Sequence, residues 1–152
     1  MLRAAEFLAT LCSGLFAGAA LYVNLAEHPA RMSRDTRVAL EVWAPSYVLA
    51  TRMQAPLAVV SLLAAGIAWW CSGAIVWLVA GILIGSVVPF TLIVIMPTNR
   101  ALLAPARDPG SADTRALLVR WGRLHAVRSV LSLLALVLMA WTLAFRYSRR
   151  CA

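Results

Sequence analysis

The sequence contains no lysine, and all of its positive charge comes from fourteen arginines. It has only six acidic residues, which leaves a formal net charge of +8. A basic chain can bind nucleic acid, but this one offers no soluble domain to present a groove-reading element. Most of its arginines lie beside the ends of apolar stretches, where lipid phosphates can balance their charge. We therefore predict no nucleic-acid partner.

Cysteine and histidine are scarce as well. Cys12, Cys71 and Cys151 are widely spaced. They form no Cys-x-x-Cys pair, which argues against a thiol oxidoreductase. The only histidines, His28 and His125, are too few for a copper or iron triad. We predict no metal site and no cofactor, with a bis-histidine haem or metal protein as an alternative.

Apolar sequence is what the chain has in abundance. Hydrophobic residues make up 62% of it, and its mean hydropathy is +0.83. Four stretches, near 7–25, 48–71, 74–96 and 124–145, approach the roughly 20 residues that cross a bilayer. We predict an all-α bundle of four transmembrane helices, a single domain over residues 1–152. It would be a multi-pass protein of the cell membrane, specifically a bacterial inner membrane. The first stretch has full span length, so we expect a retained helix rather than a cleaved signal.

The two longer connections between the spans resemble each other, and both should lie on one membrane side, here called the loop side. From Asp35 to Trp43 and from Asp113 to Trp121, the spacing of Asp, Thr, Arg, Leu and Trp is identical. We interpret this as a duplicated helical hairpin with a pseudo-twofold axis along the membrane normal. We expect interfacial helices here, with the aspartates as N-caps and the tryptophans as headgroup anchors. Most arginines fall on the loop side, which favours a cytoplasmic location for it.

Polar side chains collect on the loop side of the spans. Asn24 and His28 are four residues apart and share one helical face. Trp121, His125 and Arg128 share a face of the fourth helix, with Arg128 about one turn deeper than His125. Lipid cannot satisfy such groups, so they must face the bundle interior or water. We therefore predict a pocket at this membrane face.

Arg128 lies inside the fourth span, where a charged side chain is costly and needs an internal partner. Glu27 and Glu41 are the candidate counter-charges. Arg52 opens the second span, and Asn99 closes the third. Both are predicted to join the pocket, although Arg52 can alternatively reach lipid headgroups.

This order of motifs resembles the anthrone-oxygenase-like family of small four-helix membrane proteins. The resemblance covers nearly the whole chain and implies oxygenation of an anthrone to an anthraquinone without an evident metal or flavin. Its motifs are Asn24-x3-His28-Pro29-Ala30-Arg31, Arg52, Pro97-x-Asn99 and Trp121-x3-His125-x2-Arg128.

The residues permit a mechanism consistent with that implication. A histidine would remove a proton from a flat aromatic substrate, and an arginine would stabilise the enolate. The carbanion would reduce dioxygen, and the peroxide would collapse to a ketone. The predicted catalytic residues are His125, His28 and Arg128. The predicted substrate-binding residues are Asn24, Arg52, Asn99, Trp121 and Trp43, the tryptophans offering stacking surfaces.

Other functions stay open at this point. A non-enzymatic membrane scaffold would bind a larger membrane partner or form a homo-oligomer. A small transporter would use the parallel repeat, although four short helices leave little interior for alternating access. The predicted partners are the lipid bilayer and a hydrophobic aromatic small molecule. Since His28 has no counterpart in the second half, we predict an asymmetric pocket with His125 and Arg128 at its working edge.

Overall fold

The computed structural model describes residues 1–148 and their side chains up to Phe145, and every regular element in that range is helical. Cys151 lies outside the described residues. Four long helices form a bundle, and each is long and apolar enough to cross a membrane. They are α1 (Leu2–Met32), α2 (Thr36–Ser72), α3 (Ile75–Leu102) and α4 (Ala112–Ser148). The predicted all-α four-helix bundle is confirmed, and the chain is a multi-pass membrane protein.

The helices extend beyond the predicted spans on the loop side. The start of α2 takes up much of the first connection, and the start of α4 takes up part of the second. Asp35 caps α2, because its Oδ1 accepts a hydrogen bond from the Val38 amide at 3.0 Å. At α4, Ser111 Oγ accepts from the Thr114 amide at 3.2 Å. Asp113 lies inside the first turn of α4, so its predicted role as an N-cap is wrong.

Two helices contain one π-helical turn each, at Val23–Glu27 in α1 and at Thr91–Ile95 in α3. Each turn ends two residues before a proline, Pro29 or Pro97. A proline ring clashes with the carbonyl four residues earlier, and a wider turn at that point relieves the clash. The shared position of the two turns supports the interpretation that the hairpins are copies.

The two prolines also suggest a register for that repeat. Aligning Pro29 with Pro97 pairs Arg31 with Asn99 and Asn24 with Leu92. The sequence alone would pair Asn24 with Asn99 instead, since each precedes a Pro-Ala-Arg motif, at 29–31 and 105–107. The asparagine that forms most of the contacts described below therefore belongs to the first hairpin alone.

Trp43 and Trp121 are buried and meet edge to face, with ring centroids 5.8 Å apart. They lie on α2 and α4 at positions that the repeat makes equivalent. Their contact therefore joins the two hairpins inside the loop-side half of the bundle. The prediction that their side chains contact lipid headgroups as anchors is wrong, because both indoles are buried against protein.

Candidate functional site

Asn24 joins α1 to α4 through three hydrogen bonds. Its Nδ2 donates to the Gly122 carbonyl at 3.1 Å, which directs its Oδ1 toward the other side. That oxygen accepts from Ser129 Oγ at 2.6 Å and lies 2.7 Å from Nδ1 of His125. Since an amide oxygen can only accept, Nδ1 of His125 must carry the ring hydrogen. The lone pair of the neutral imidazole is therefore on Nε2, where it can take a proton.

His28 packs directly over the backbone of α4. A Cβ added at Gly122 would lie 2.6 Å from Cδ2 of His28, so only glycine leaves room for the imidazole. The Nδ1 atom of His28 is buried without a hydrogen-bond partner. This placement gives His28 a packing role against α4, and it differs from the hydrogen-bonded environment of His125.

The Trp121 indole lies against both histidines, with ring centroids 4.9 Å from His125 and 5.3 Å from His28. A haem held between these two imidazoles would require the indole to move, which weighs against the bis-histidine alternative. Within the described residues, no group of three or more His, Cys, Asp or Glu side chains is placed to hold a metal ion.

Arg128 is a buried charge, with 9% of its surface exposed. Its Nη2 donates to Oε1 of Gln54 at 2.7 Å, and its Cζ lies 5.4 Å from the centre of the Phe16 ring. Its Nε is buried and has no hydrogen-bond partner. No carboxylate of the described residues forms an ion pair with it. Because an unpaired buried charge is costly, an anion that reached this guanidinium would be bound favourably.

The two acids predicted as counter-charges of Arg128 lie elsewhere, so that prediction is wrong. Glu27 forms an ion pair with Arg31, one helical turn further along α1. Ser46 on α2 donates to Glu27 Oε1 at 2.5 Å and accepts from Arg31 Nη2 at 3.1 Å. Glu41 is exposed. The Glu27–Arg31–Ser46 cluster therefore connects α1 to α2 and leaves Arg128 without a carboxylate.

Two cavities meet at Arg128. The first, called here the polar chamber, encloses about 10 Å³, room for about one water molecule, and has about 270 Å³ when its open side is included. The second, called the apolar recess, lies between α2 and α3; it encloses about 90 Å³ and has about 450 Å³ with its open side. Arg128, Tyr47 and Thr51 line both of them. The polar chamber is also lined by Gln54, Trp121 and His125.

The structure brings some of the predicted site residues together and leaves others out. Arg52 is exposed and lines neither cavity. Asn99 is buried with both side-chain polar atoms unpartnered, and it also lines neither. Trp43 lies behind the chamber, stacked on Tyr47 with centroids 5.2 Å apart. The residues that form one contiguous group are Asn24, His28, Trp121, His125 and Arg128.

Sequence reasoning did not select two residues that shape this site. Ser129 follows His125 by one helical turn, so helical periodicity could have found it. Gly122 could not be found in this way, because its role depends on which helix face meets His28.

Comparison with known proteins gives a consistent result. A model of the anthrone oxygenase family matches residues 43–138, which cover most of α2, all of α3 and much of α4. Trp43, Trp121, His125 and Arg128 lie within the match, and Asn24 and His28 precede it. No solved structure matches the chain significantly.

Two curated relatives are fungal proteins named as anthrone oxygenases. The protein tpcL of Aspergillus fumigatus is 45% identical over 64 residues, which cover 40% of this chain and 40% of that protein. The protein ptaC of Pestalotiopsis fici is 30% identical over 115 residues, which cover 63% of this chain and 78% of that protein. The bacterial membrane named above stays a prediction, because both relatives are fungal.

Proposed function

The chain belongs to the anthrone oxygenase family, and on that basis we propose that it oxygenates an anthrone-like polycyclic aromatic to a quinone at the membrane. The observation that carries the proposal is the pairing of two groups at one chamber. His125 has its free lone pair on Nε2, and Arg128 has a guanidinium whose Nε forms no hydrogen bond. Together they form a base and an oxyanion-binding group, the two functions that the reaction requires.

We assign the base to His125 rather than His28. Asn24 accepts the Nδ1 hydrogen of His125, and it would stabilise the imidazolium that forms when Nε2 takes a proton. His28 does not line the chamber and is packed against Gly122. The proton comes from the methylene group of the anthrone, which is acidified by conjugation with the ring carbonyl.

Arg128 would bind the oxygen on which the resulting negative charge collects. A guanidinium in a chamber of low dielectric constant stabilises an enolate more strongly than water does. The absence of a carboxylate partner among the described residues matters here, because an ion pair would already have neutralised Arg128. Gln54 accepts a hydrogen bond from Nη2, and Nε of the guanidinium is left without an acceptor among the described residues.

The oxygen chemistry balances with dioxygen as the only co-reactant. The deprotonated carbon gives two electrons to O₂ and forms a C–O bond, and protonation yields a hydroperoxide. Loss of the second hydrogen from that carbon breaks the O–O bond, forms the C=O group and releases water. One anthrone and one O₂ thus yield one anthraquinone and one H₂O. The four-electron oxidation of the methylene carbon matches the four-electron reduction of dioxygen.

The test is turnover of anthrone under ¹⁸O₂ by the full chain in nanodiscs, with heat-treated protein correcting for slow autoxidation. We expect one labelled oxygen in the quinone and one in water. His125→Ala should lower kcat by ~10²–10⁴-fold, and Arg128→Ala by ~10²–10³-fold. Full turnover by both variants would overturn the proposal. Retention of a larger membrane protein, with no quinone formed, would favour the scaffold alternative.

A further inference from the structure

We infer that the apolar recess between α2 and α3 holds the fused rings of the substrate and opens sideways into the bilayer. The inference rests on the proposed function and adds to it a binding site and a route of entry. Its occupant is a flat polycyclic aromatic that is dissolved in lipid and carries an oxygen at one edge. None of the substrate-binding residues predicted from the sequence lies in this recess.

The recess lies on the loop side of a tight contact between α2 and α3. Deeper in the membrane the helices are in close contact: a Cβ at Gly85 would lie 2.8 Å from Leu62 Cδ2, and one at Gly81 would lie 3.0 Å from Ala65 Cβ. Toward the loop side, α3 passes through its π-helical turn at Thr91–Ile95. A π-helical turn displaces the following part of a helix from its original axis. The tight contact therefore closes the deeper end of the recess, and the π-helical turn forms part of its wall nearer the loop side.

The walls of the recess suit aromatic rings. The α2 wall contains the small residues Thr51 and Ala55, which leave space, and the α3 wall contains Val88, Leu92 and Met96. The enclosed part of the recess is about 90 Å³, less than the ~300–1,000 Å³ of cavities that hold small organic ligands, so fused rings would also occupy its open side toward lipid. Apolar walls stabilise such a ligand through burial of its ring surface.

The outer rim of the recess lies on the lipid-facing surface of the bundle. Ala55 is exposed, and Leu92 has 59% of its surface exposed. Both lie within helices long and apolar enough to cross a membrane. A substrate dissolved in the bilayer could therefore enter between α2 and α3 without passing through water.

The inner end of the recess leads to the reactive groups. Arg128 lies there, with its guanidinium over the ring of Phe16, and it lines the polar chamber as well. Tyr47 and Thr51 also line both cavities, so the recess and the chamber share one wall. The carbonyl oxygen and the methylene of an anthrone lie on opposite edges of its central ring. The rings would therefore enter with their long axis pointing inward, so that the oxygen edge faces Arg128 and the methylene edge faces the chamber that His125 lines.

Photolabelling with 9,10-anthraquinone tests the inference without any need for turnover. Excited anthraquinone abstracts hydrogen from nearby C–H groups and can attach covalently to them. With the full chain in nanodiscs, we expect the label on peptides containing residues 51–58 and 87–96. Ala55→Trp and Leu92→Trp fill the recess from opposite walls and should each reduce that labelling at least ~10-fold, which corresponds to about 1.4 kcal/mol of binding.

The matched control is Ile93→Trp, next to Leu92 on α3 but 74% exposed and outside the recess lining. It should label as the unmodified chain does, and gel filtration with thermal unfolding would establish that all three variants are folded. Labelling confined to other helices would overturn the inference, as would an Ala55→Trp variant that labels normally. His125→Ala should keep the label while losing turnover. If the protein is labelled in the recess but does not oxidise anthrone, the proposed function is contradicted and the recess is supported as an aromatic-binding site.

Discussion

Nδ1 of His125 lies 2.7 Å from Oδ1 of Asn24, an oxygen that also accepts a hydrogen bond from Ser129. The Asn24 amide is oriented by its own donation to the Gly122 carbonyl, so the imidazole has no choice of tautomer. One side chain of α1 therefore determines the protonation pattern of a ring on α4. The chemistry of the site then depends on the contact between these two helices.

Replacing Asn24 with alanine should impair catalysis without unfolding the chain. The imidazole would then be free to take either tautomer and to rotate, so we expect kcat to fall by ~10–100-fold, less than the loss of the base itself. KM should change little, because Asn24 lines neither cavity. Steady-state kinetics with anthrone would measure both constants.

The matched control for Asn24→Ala is Ser132→Ala, a buried serine on the His125 face of α4 that donates only to the Ser129 carbonyl. It should keep kcat near that of the unmodified chain. Ring ¹⁵N chemical shifts would report the tautomer directly, and a His28→Asn variant would assign the signals of the two histidines. An Nε2–H form of His125 in the unmodified chain would contradict the arrangement described here.

Arg128 should be more important for activity than for stability. Its buried charge has no carboxylate partner among the described residues, and its hydrogen bond goes to a neutral amide, Gln54. Replacing an unfavourable buried polar pair with apolar residues of similar size is often neutral or stabilising, by up to ~4 kcal/mol. The double variant Arg128→Met/Gln54→Leu should therefore unfold at the same temperature as the unmodified chain or above it, while losing turnover.

The single variant Arg128→Met provides the comparison. It leaves buried Gln54 without a partner for Oε1, which costs about 1–3 kcal/mol, so it should be less stable than the double variant. Thermal unfolding in the same detergent would rank the three proteins. If the double variant were much less stable than both the unmodified chain and Arg128→Met, Arg128 would have a structural role that its observed contacts do not explain.

The fold could be predicted from the sequence because the features that indicate it are local. A transmembrane span requires about 20 apolar residues in a row, and four such runs can be recognised without knowing which helices pack together. Helical periodicity likewise placed Trp121, His125 and Arg128 on one face, and all three are buried in the structure. These predictions needed only one helix at a time.

The predictions that failed concerned contacts between two helices. The Gln54 partner of Arg128 is 74 residues away in the chain, and the Asn24 partner of His125 is 101 residues away. Neither pair follows from spacing, because each depends on the rotation of one helix against another. Trp43 was expected to contact lipid headgroups because tryptophan is enriched at membrane interfaces. Packing between the two hairpins buries it instead.

Glycine is required at position 122 because His28 packs against it, and not because its backbone conformation excludes other residues. Gly122→Ala would place a methyl group against the His28 imidazole, and we expect a loss of ~1–3 kcal/mol, typical of overpacking. At Gly18 on α1, an added Cβ would meet no atom within 4 Å, so Gly18→Ala should be neutral or stabilising by up to ~1 kcal/mol. Chemical unfolding would compare the two. Equal stability of both variants would mean that His28 is not held over α4.

The ion pair between Glu27 and Arg31 should be a main support of the loop-side end of the bundle. Side-chain exposure is 2% for Arg31 and 26% for Glu27, so Glu27→Gln leaves a buried guanidinium without its counter-charge. Breaking a buried pair costs about 3–5 kcal/mol, and the partial exposure of Glu27 favours the lower end of that range. Glu41→Gln, at an exposed position, should change stability by less than ~0.5 kcal/mol.

The second arm of this experiment separates the lost pair from a lost packing contact. If the penalty in Glu27→Gln comes from the uncompensated charge of Arg31, removing that charge should restore part of the stability. Glu27→Gln/Arg31→Met should therefore be more stable than Glu27→Gln alone, with a coupling energy of ~1–3 kcal/mol in the double-mutant cycle. Additive losses would assign the effect to packing, since Ser46 contacts both side chains and would lose a partner in each variant.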